Sequence, residues 1–190
     1  MSHTPNRWKG LSVGIVGGLA GAIARHYYEH QIVPRYFPPL APPANPDSDK
    51  PDPVEARAYF APQYRADETA TQTAARLGYK FLNGSEPREA ETMALAVTVT
   101  EVAQGIAAGA IYGGTRTTTR ARDIAGGFFY GIRLWLGETI VAALLGFRPG
   151  PTRFSFEQHA RLLTAYWVYT FTTTTVTRLL YRLLSPEDWR

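Results

Sequence analysis

Apolar blocks alternate with polar segments along the chain, and four of the blocks predict helices that cross a membrane. A membrane-spanning helix needs roughly 20 apolar residues. Counting the flanking interfacial aromatic residues, the pattern predicts spans at about residues 8–30, 91–114, 124–147 and 160–184. The later connectors are short, so consecutive helices should be antiparallel neighbours. The sequence therefore predicts an all-α fold, a four-helix transmembrane bundle in which residues 1–190 form a single membrane domain.

A polar insert, residues 34–90, separates the first predicted span from the second. Eight of the chain's fourteen prolines lie between Pro34 and Pro53. Proline fixes φ and lacks an N–H group, so this stretch should be extended rather than helical. A stiff surface linker is the simpler interpretation, and a ligand for an SH3-type domain is the alternative.

The second half of the insert predicts one short amphipathic helix. Asp67 is a suitable N-cap, the helix should reach Leu82, and Asn83-Gly84 is a typical stop signal. The face that we expect to be buried consists of Ala70, Ala74, Leu77 and Phe81. Such a helix lies either on the bundle or on the membrane surface. Packing on the bundle is the simpler of these two interpretations.

Glycines recur at intervals of four inside three of the apolar blocks. In a water-soluble helix each interior Gly costs about 1 kcal/mol relative to Ala. In a bilayer, by contrast, small residues four apart let helix backbones approach closely, and this packing associates the helices. The predicted helix-packing residues are Gly14, Gly17, Gly18, Gly21, Gly105, Gly109, Gly113, Gly127 and Gly131.

The first apolar block also fits a cleaved signal peptide. A basic start precedes an uncharged stretch from Leu11 to Ala24, which contains the motif Ala20-x-Ala22. We favour a retained helix, because glycine doublets at packing spacing suit a membrane anchor and the pattern continues past the expected cleavage point.

The amino-acid composition argues against several classes of function. The net charge is +4 and the mean hydropathy is −0.20, which the polar insert lowers. Basic residues form no run of five, so no nucleic-acid partner is expected. The chain has no Cys, which excludes disulfides and thiol catalysis. His26, Glu29 and His30 lie one turn apart but lack further strong metal ligands. The sequence therefore predicts no enzyme activity, no cofactor and no metal site.

Three charged residues lie inside predicted spans: Glu101, Arg133 and Glu138. A charge at the middle of a span costs about 2.5–3.5 kcal/mol on insertion scales, so each needs a partner or water. Helical spacing places both glutamates on the glycine faces of their helices. In the interpretation that we favour, Arg133 pairs with Glu101 or another carboxylate and fixes the bundle register. The alternatives are a hydrated path for protons or small cations and a location near the interface.

Basic residues also predict the orientation. The loop between the second and third spans contains Arg116, Arg120 and Arg122, and further basic residues flank both ends of the chain. The positive-inside rule then places both termini in the cytoplasm. Anionic lipid headgroups are the simplest partner of the three loop arginines.

The order of motifs resembles a family. A glycine-rich first helix is followed by Val33-Pro34-Arg35, by Ala-Gly109-Ala-Ile-Tyr112-Gly113, by Gly126-Gly127-Phe-Phe-Tyr-Gly131, by Leu134-Trp135-Leu136 and by Leu145-Gly146-Phe147. This arrangement is similar to the YagU-like bacterial inner-membrane proteins, a family defined by a domain of unknown function. The resemblance implies a multi-pass inner-membrane protein with a loose link to acid or envelope stress, and it implies no catalytic residues. Relatives carry a His early in the last helix, where this chain has Thr164-Ala165.

Three functional hypotheses follow. The leading one is a structural or accessory protein of the inner membrane, in contact with the lipid bilayer. A free glycine face would let it form a homo-oligomer or bind another membrane protein. The second is a small proton or ion channel or transporter that uses Glu101, Glu138 and Arg133. The third is a soluble helical domain that oligomerises through apolar faces.

Overall fold

The computed structural model describes residues 7–39, 52–65, 68–115 and 123–184. Within these ranges the regular structure is helical and contains no strand, which confirms the all-α prediction. The helices are α1 (Arg7–Tyr27), α2 (Val33–Tyr36), α3 (Ala70–Asn83), α4 (Ala90–Thr115), α5 (Asp123–Leu136), α6 (Ala142–Leu144) and α7 (Phe156–Leu183). Two 3₁₀ turns, Glu55–Arg57 and Pro151–Arg153, complete the described elements.

Two π-helical turns connect neighbouring helices. Tyr28–Ile32 joins α1 to α2, and Gly137–Val141 joins α5 to α6. The residues that flank both turns have right-handed helical dihedrals, so each pair continues as one helical path. The prediction that Pro34 begins the extended stretch was therefore wrong. Pro34 directly follows the π-helical turn, between the i−5 hydrogen bond of the Val33 N–H and the i−4 hydrogen bond of the Phe37 N–H, so its missing N–H group falls where the pattern changes. Residues 40–51, which hold most of the proline-rich stretch, are outside the described ranges.

Helix α3 begins at a capping box. The Thr69 hydroxyl accepts from the Gln72 N–H at 3.2 Å, and the Gln72 side chain accepts from the Thr69 N–H at 2.7 Å. The cap predicted at Asp67 lies outside the described residues, and the helix starts after Thr69. The predicted stop is found, because Gly84 adopts a φ of 74° that only glycine accepts readily.

The buried face of α3 differs from the prediction. Ala70 is buried as predicted, but Phe81, expected on the same face, is 89% exposed. The other buried residues of α3 are Thr73, Ala75 and Arg76. The physical reason is that α3 is fastened to its surroundings through the ion pairs of Arg76 rather than through an apolar stripe.

The chain forms two compact units. The first unit comprises the described residues of Met1–Phe37, Val102–Ile132 and Thr164–Arg190, and the second comprises those of Pro38–Glu101 and Arg133–Leu163. In the first unit, segments of α1, α4, α5 and α7 pack against one another. The second unit contains the described part of the insert, the start of α4, the end of the α5–α6 path and the start of α7.

We expect Thr69→Ala to destabilise α3 by about 1 kcal/mol, because the Gln72 N–H loses its acceptor. Hydrogen exchange of the α3 amides should accelerate accordingly in the detergent-solubilised protein. Thr71→Ala is the matched control, because Thr71 lies inside the helix and does not cap it. Equal exchange rates in the two variants would show that the capping box contributes nothing.

Candidate functional site

The closest helix contact in the first unit joins α1 to α4. Gly14 lies against Gly109 and Gly113, and Gly18 lies against Gly105 and Gly109. A Cβ atom added to Gly18 would lie 2.9 Å from the Gly109 Cα atom, so no side chain fits between the backbones. The partners descend along α4 as the residue numbers rise along α1, which makes the two helices antiparallel.

A second contact joins the neighbouring face of α1 to α7. Gly17 packs against Thr177, and Gly21 packs against Thr173. An added Cβ atom at Gly17 would lie 2.8 Å from the Thr173 carbonyl oxygen. The Thr173 hydroxyl donates to the Tyr169 carbonyl at 2.8 Å, so this threonine is both fully buried and hydrogen-bonded. We call the contacts of Gly14, Gly17, Gly18 and Gly21 with α4 and α7 the glycine seam.

Helix α5 packs on α7 through its own two glycines. An added Cβ atom at Gly131 would lie 2.5 Å from Trp167, and one at Gly127 would lie 3.1 Å from the Thr174 hydroxyl. The latter contact is the looser one, since the threonine side chain has room to shift. All nine predicted packing glycines therefore lie at contacts between helices of this chain.

Two tyrosines hydrogen-bond to backbone inside the same unit. The Tyr130 hydroxyl of α5 donates to the Ala108 carbonyl at 2.6 Å, and the Tyr169 hydroxyl of α7 donates to the Gly105 carbonyl at 2.6 Å. Both acceptors are on α4, so these bonds tie α5 and α7 to it.

Polar and apolar side chains of the first unit are distributed in the opposite way to a water-soluble protein. Thr170, Thr173, Thr174 and Thr177 are buried. Large apolar residues on the outside of α1 and α4, by contrast, are exposed, including Ile23 at 61% and Ile111 at 62%. Aliphatic residues of this size are normally the most buried class. Large apolar side chains thus form part of the surface of the first unit.

The three charges predicted to lie together do not form the expected ion pair. Arg133 is exposed, and the described residues include no ion pair between it and either Glu101 or Glu138. Glu101 is half-buried on α4. Glu138 instead lies 3.5 Å from Arg148, which is buried and also packs over the Phe154 ring at 4.2 Å.

Sequence reasoning missed Arg148 because it comes after the helical path ends. Gly146 has a φ of 71° and reverses the chain direction, which returns Arg148 towards Glu138. The Leu145-Gly146 pair after an apolar block was the available signal for this turn.

Asp52 fastens the insert to the loop before α7. Its carboxylate accepts from the Val54 N–H at 2.7 Å, the Thr152 N–H at 2.8 Å and the Thr152 hydroxyl at 2.5 Å. Gly150 packs so closely against this carboxylate that a Cβ atom there would overlap it. Burial raises the pKa of Asp52, but these hydrogen bonds outweigh it and the net pKa is lowered.

Arg76 is the centre of a second polar cluster, which holds α3. Its guanidinium donates to Glu68 at 2.7 Å, to Glu86 at 3.3 Å and to the Gln63 carbonyl at 2.6 Å. The hydrogen bonds from Arg76 lower the pKa of the Glu68 carboxyl, more than burial raises it. The cluster therefore depends on Glu68 being ionised.

No metal site is found among the residues that the structure describes. The His26 and His30 rings stack with centroids 4.1 Å apart, so they present faces to each other. Glu29 forms an ion pair with Arg25 at 2.9 Å. Arg116, Arg120 and Arg122, the predicted headgroup ligands, lie outside the described ranges.

Comparison with protein-family models, with curated proteins and with solved structures finds no match to this chain.

We expect Gly109→Ala to destabilise the bundle by about 1–3 kcal/mol, because the new methyl group would collide with the α1 backbone. The measurement is unfolding by sodium dodecyl sulfate followed by circular dichroism. Gly114→Ala is the matched control on α4, since an added Cβ atom there meets nothing within 4 Å. It should leave stability unchanged or raise it. A loss of the same size in both variants would contradict close packing at Gly109.

Acidic pH should lower the stability of α3. The pKa of Glu68 is lower in the folded state than its ordinary value of 4.5. Its contribution to stability is therefore complete above that value and disappears as pH falls through the lower folded-state pKa. The protection factors of the α3 amides, which remove the pH dependence of intrinsic exchange, should therefore fall over this acidic range in the native protein.

Glu68→Gln should weaken this pH dependence, because Glu86 at 3.3 Å is then the carboxylate left to titrate beside Arg76. Glu89→Gln is the control, since Glu89 is exposed and lies outside the Arg76 cluster. An unchanged pH profile in Glu68→Gln would rule out this carboxyl as the titrating group.

Proposed function

We propose that this chain is a multi-pass protein of the bacterial inner membrane with a structural or accessory role. The supporting observation is the exposure of its most apolar helices. Helix α4 and the continuous helical segment Ala125–Leu144 are long and apolar enough to cross a bilayer. In the most apolar 18-residue window of each, only 11% and 22% of the residues are buried. The core helix of a water-soluble domain would be mostly buried.

In the proposed bundle α1 and α7 also span the bilayer. They are about 32 Å and 42 Å long, against a hydrocarbon core of about 30 Å. Their composition is less apolar than that of α4, because both helices carry charged residues near their ends and the glycine seam uses Gly and Thr. The residues that point away from the seam, such as Leu19 and Ile23, remain apolar and exposed.

A contact between the two ends of the chain supports an even number of spans. Lys9, near the start of α1, donates to the Leu184 carbonyl just after α7 at 2.7 Å. The start of the first long helix and the end of the last one therefore lie on the same side. The loop and terminal basic residues assign this side to the cytoplasm.

The accessory role has more support than an ion pathway. A pathway requires Glu101, Glu138 and Arg133 to line one hydrated route, whereas Glu138 contacts Arg148 and Arg133 is exposed. The nine packing glycines are occupied by helices of the same chain. A homo-oligomer or a membrane-protein partner would therefore have to use a different face.

The protein expressed in bacteria should remain in the membrane fraction after alkaline carbonate extraction. Fluorescent-protein fusions to either terminus should be fluorescent, since both termini are proposed to face the cytoplasm. Recovery of the chain in the soluble fraction without detergent would contradict the membrane assignment.

A flux assay in proteoliposomes separates the accessory role from the pathway. We expect no proton or cation flux above that of empty vesicles. A flux that Glu138→Gln abolishes, and that the exposed control Glu157→Gln leaves intact, would overturn the accessory role.

A further inference from the structure

The insert exposes large apolar side chains that no described segment covers. Phe81 and Leu82, at the end of α3, are 89% and 80% exposed, and Tyr59 and Phe60 are 79% and 58% exposed. Gly78 lies on the same face of α3 as Phe81 and Leu82, and a Cβ atom added there meets nothing within 4 Å. This face of the helix therefore has no partner within the described chain.

Hydrogen bonds fix one part of this apolar surface to the end of a candidate span. The Tyr59 N–H donates to the Leu144 carbonyl at 2.8 Å, and the Gln63 N–H donates to the Gly146 carbonyl at 2.7 Å. Leu144 is the last residue of the candidate span Ala125–Leu144. Tyr59 and Phe60 thus lie where that helix would leave the hydrocarbon.

Hydrogen bonds also connect α3 to the segment that contacts the end of this span. Arg76 donates to the carbonyl of Gln63, the residue that is bonded to Gly146. Phe81 is five residues further along α3, a rise of about 8 Å. After α3, residues 84–89 lead directly to Ala90, the first residue of the other candidate span. Six residues extend over at most about 20 Å, so the tip of α3 is tethered close to both span ends.

The chemistry of the tip matches a lipid interface. Aromatic and leucine side chains at the end of a membrane helix favour the boundary between headgroups and acyl chains. Lys80 points to the opposite side of α3, where its half-exposed ammonium group lies 3.6 Å from the Glu86 carboxylate. A helix at a lipid interface likewise buries its apolar face and leaves its charged side chains in water.

We propose that Phe81, Leu82, Tyr59 and Phe60 insert into the headgroup region of the bilayer, so that the insert is a module attached to the membrane surface. This inference depends on the proposed membrane-spanning bundle. The occupant of the apolar face is lipid, rather than the bundle, a second copy of the chain or another protein.

The absence of Cys makes single-cysteine labelling unambiguous. Phe81→Cys, Lys80→Cys and Ile111→Cys would each carry a nitroxide label, in vesicles of phosphatidylethanolamine and phosphatidylglycerol. Power saturation compares collision with oxygen, which concentrates in lipid, and with a water-soluble nickel chelate. Phe81 and Ile111 are exposed, so neither change removes a packing contact. Lys80 is the matched control on the opposite side of α3, and Ile111 reports on the span itself.

The label at position 81 should collide with oxygen more than with nickel, the label at 80 should show the reverse, and the label at 111 should be in lipid. An aqueous label at 81 with a lipid-exposed label at 111 would overturn this inference and leave the bundle intact. If neither reagent reaches the label at 81, protein covers this position, and this result would also overturn the inference.

Labels at 80 and 81 that are both in lipid would contradict the proposed orientation of α3. An aqueous label at 111 would overturn the membrane assignment itself.

Discussion

Close contact between bare helix backbones is the constraint on which the first unit depends. Helix α1 has two neighbours on adjacent faces, α4 along Gly14 and Gly18 and α7 along Gly17 and Gly21. A side chain at any of these positions would force the helices apart. The resulting short distances make dispersion between main chains the main attraction, which is the mode of helix association available where no hydrophobic effect operates.

This packing explains why the polar residues are inside. Threonine is small enough to face a glycine, and its hydroxyl can donate to a carbonyl of its own helix, as Thr173 does to Tyr169. The tyrosines of α5 and α7 donate to α4 in the same way. These hydrogen bonds satisfy the hydroxyls of Thr173, Tyr130 and Tyr169 inside the unit, and large aliphatic residues are left for the outer surface. The exposed helices and the buried threonines are two results of the same glycine spacing.

Local patterns predicted the helices well and the contacts between distant segments poorly. Glycines four apart identified the helix faces that meet, and Asn83-Gly84 identified the end of α3, because both depend on nearby residues. The pairing of Glu138 with Arg148 depends on the chain reversal at Gly146, and periodicity carries no information about it. The buried face of α3 is determined by Arg76 and its carboxylates, whereas a search for apolar stripes selected Phe81.

The carboxylate of Asp52 has a consequence for how the molecule is made. Its partner Thr152 comes 100 residues later in the chain, and four helices, α3, α4, α5 and α6, lie between them. During synthesis the insert emerges long before the backbone that completes its hydrogen bonds. The insert therefore remains without these hydrogen bonds until the segment that precedes α7 has been synthesised. Assembly of the second unit is thus a late event, which couples its completion to the arrival of the last helix.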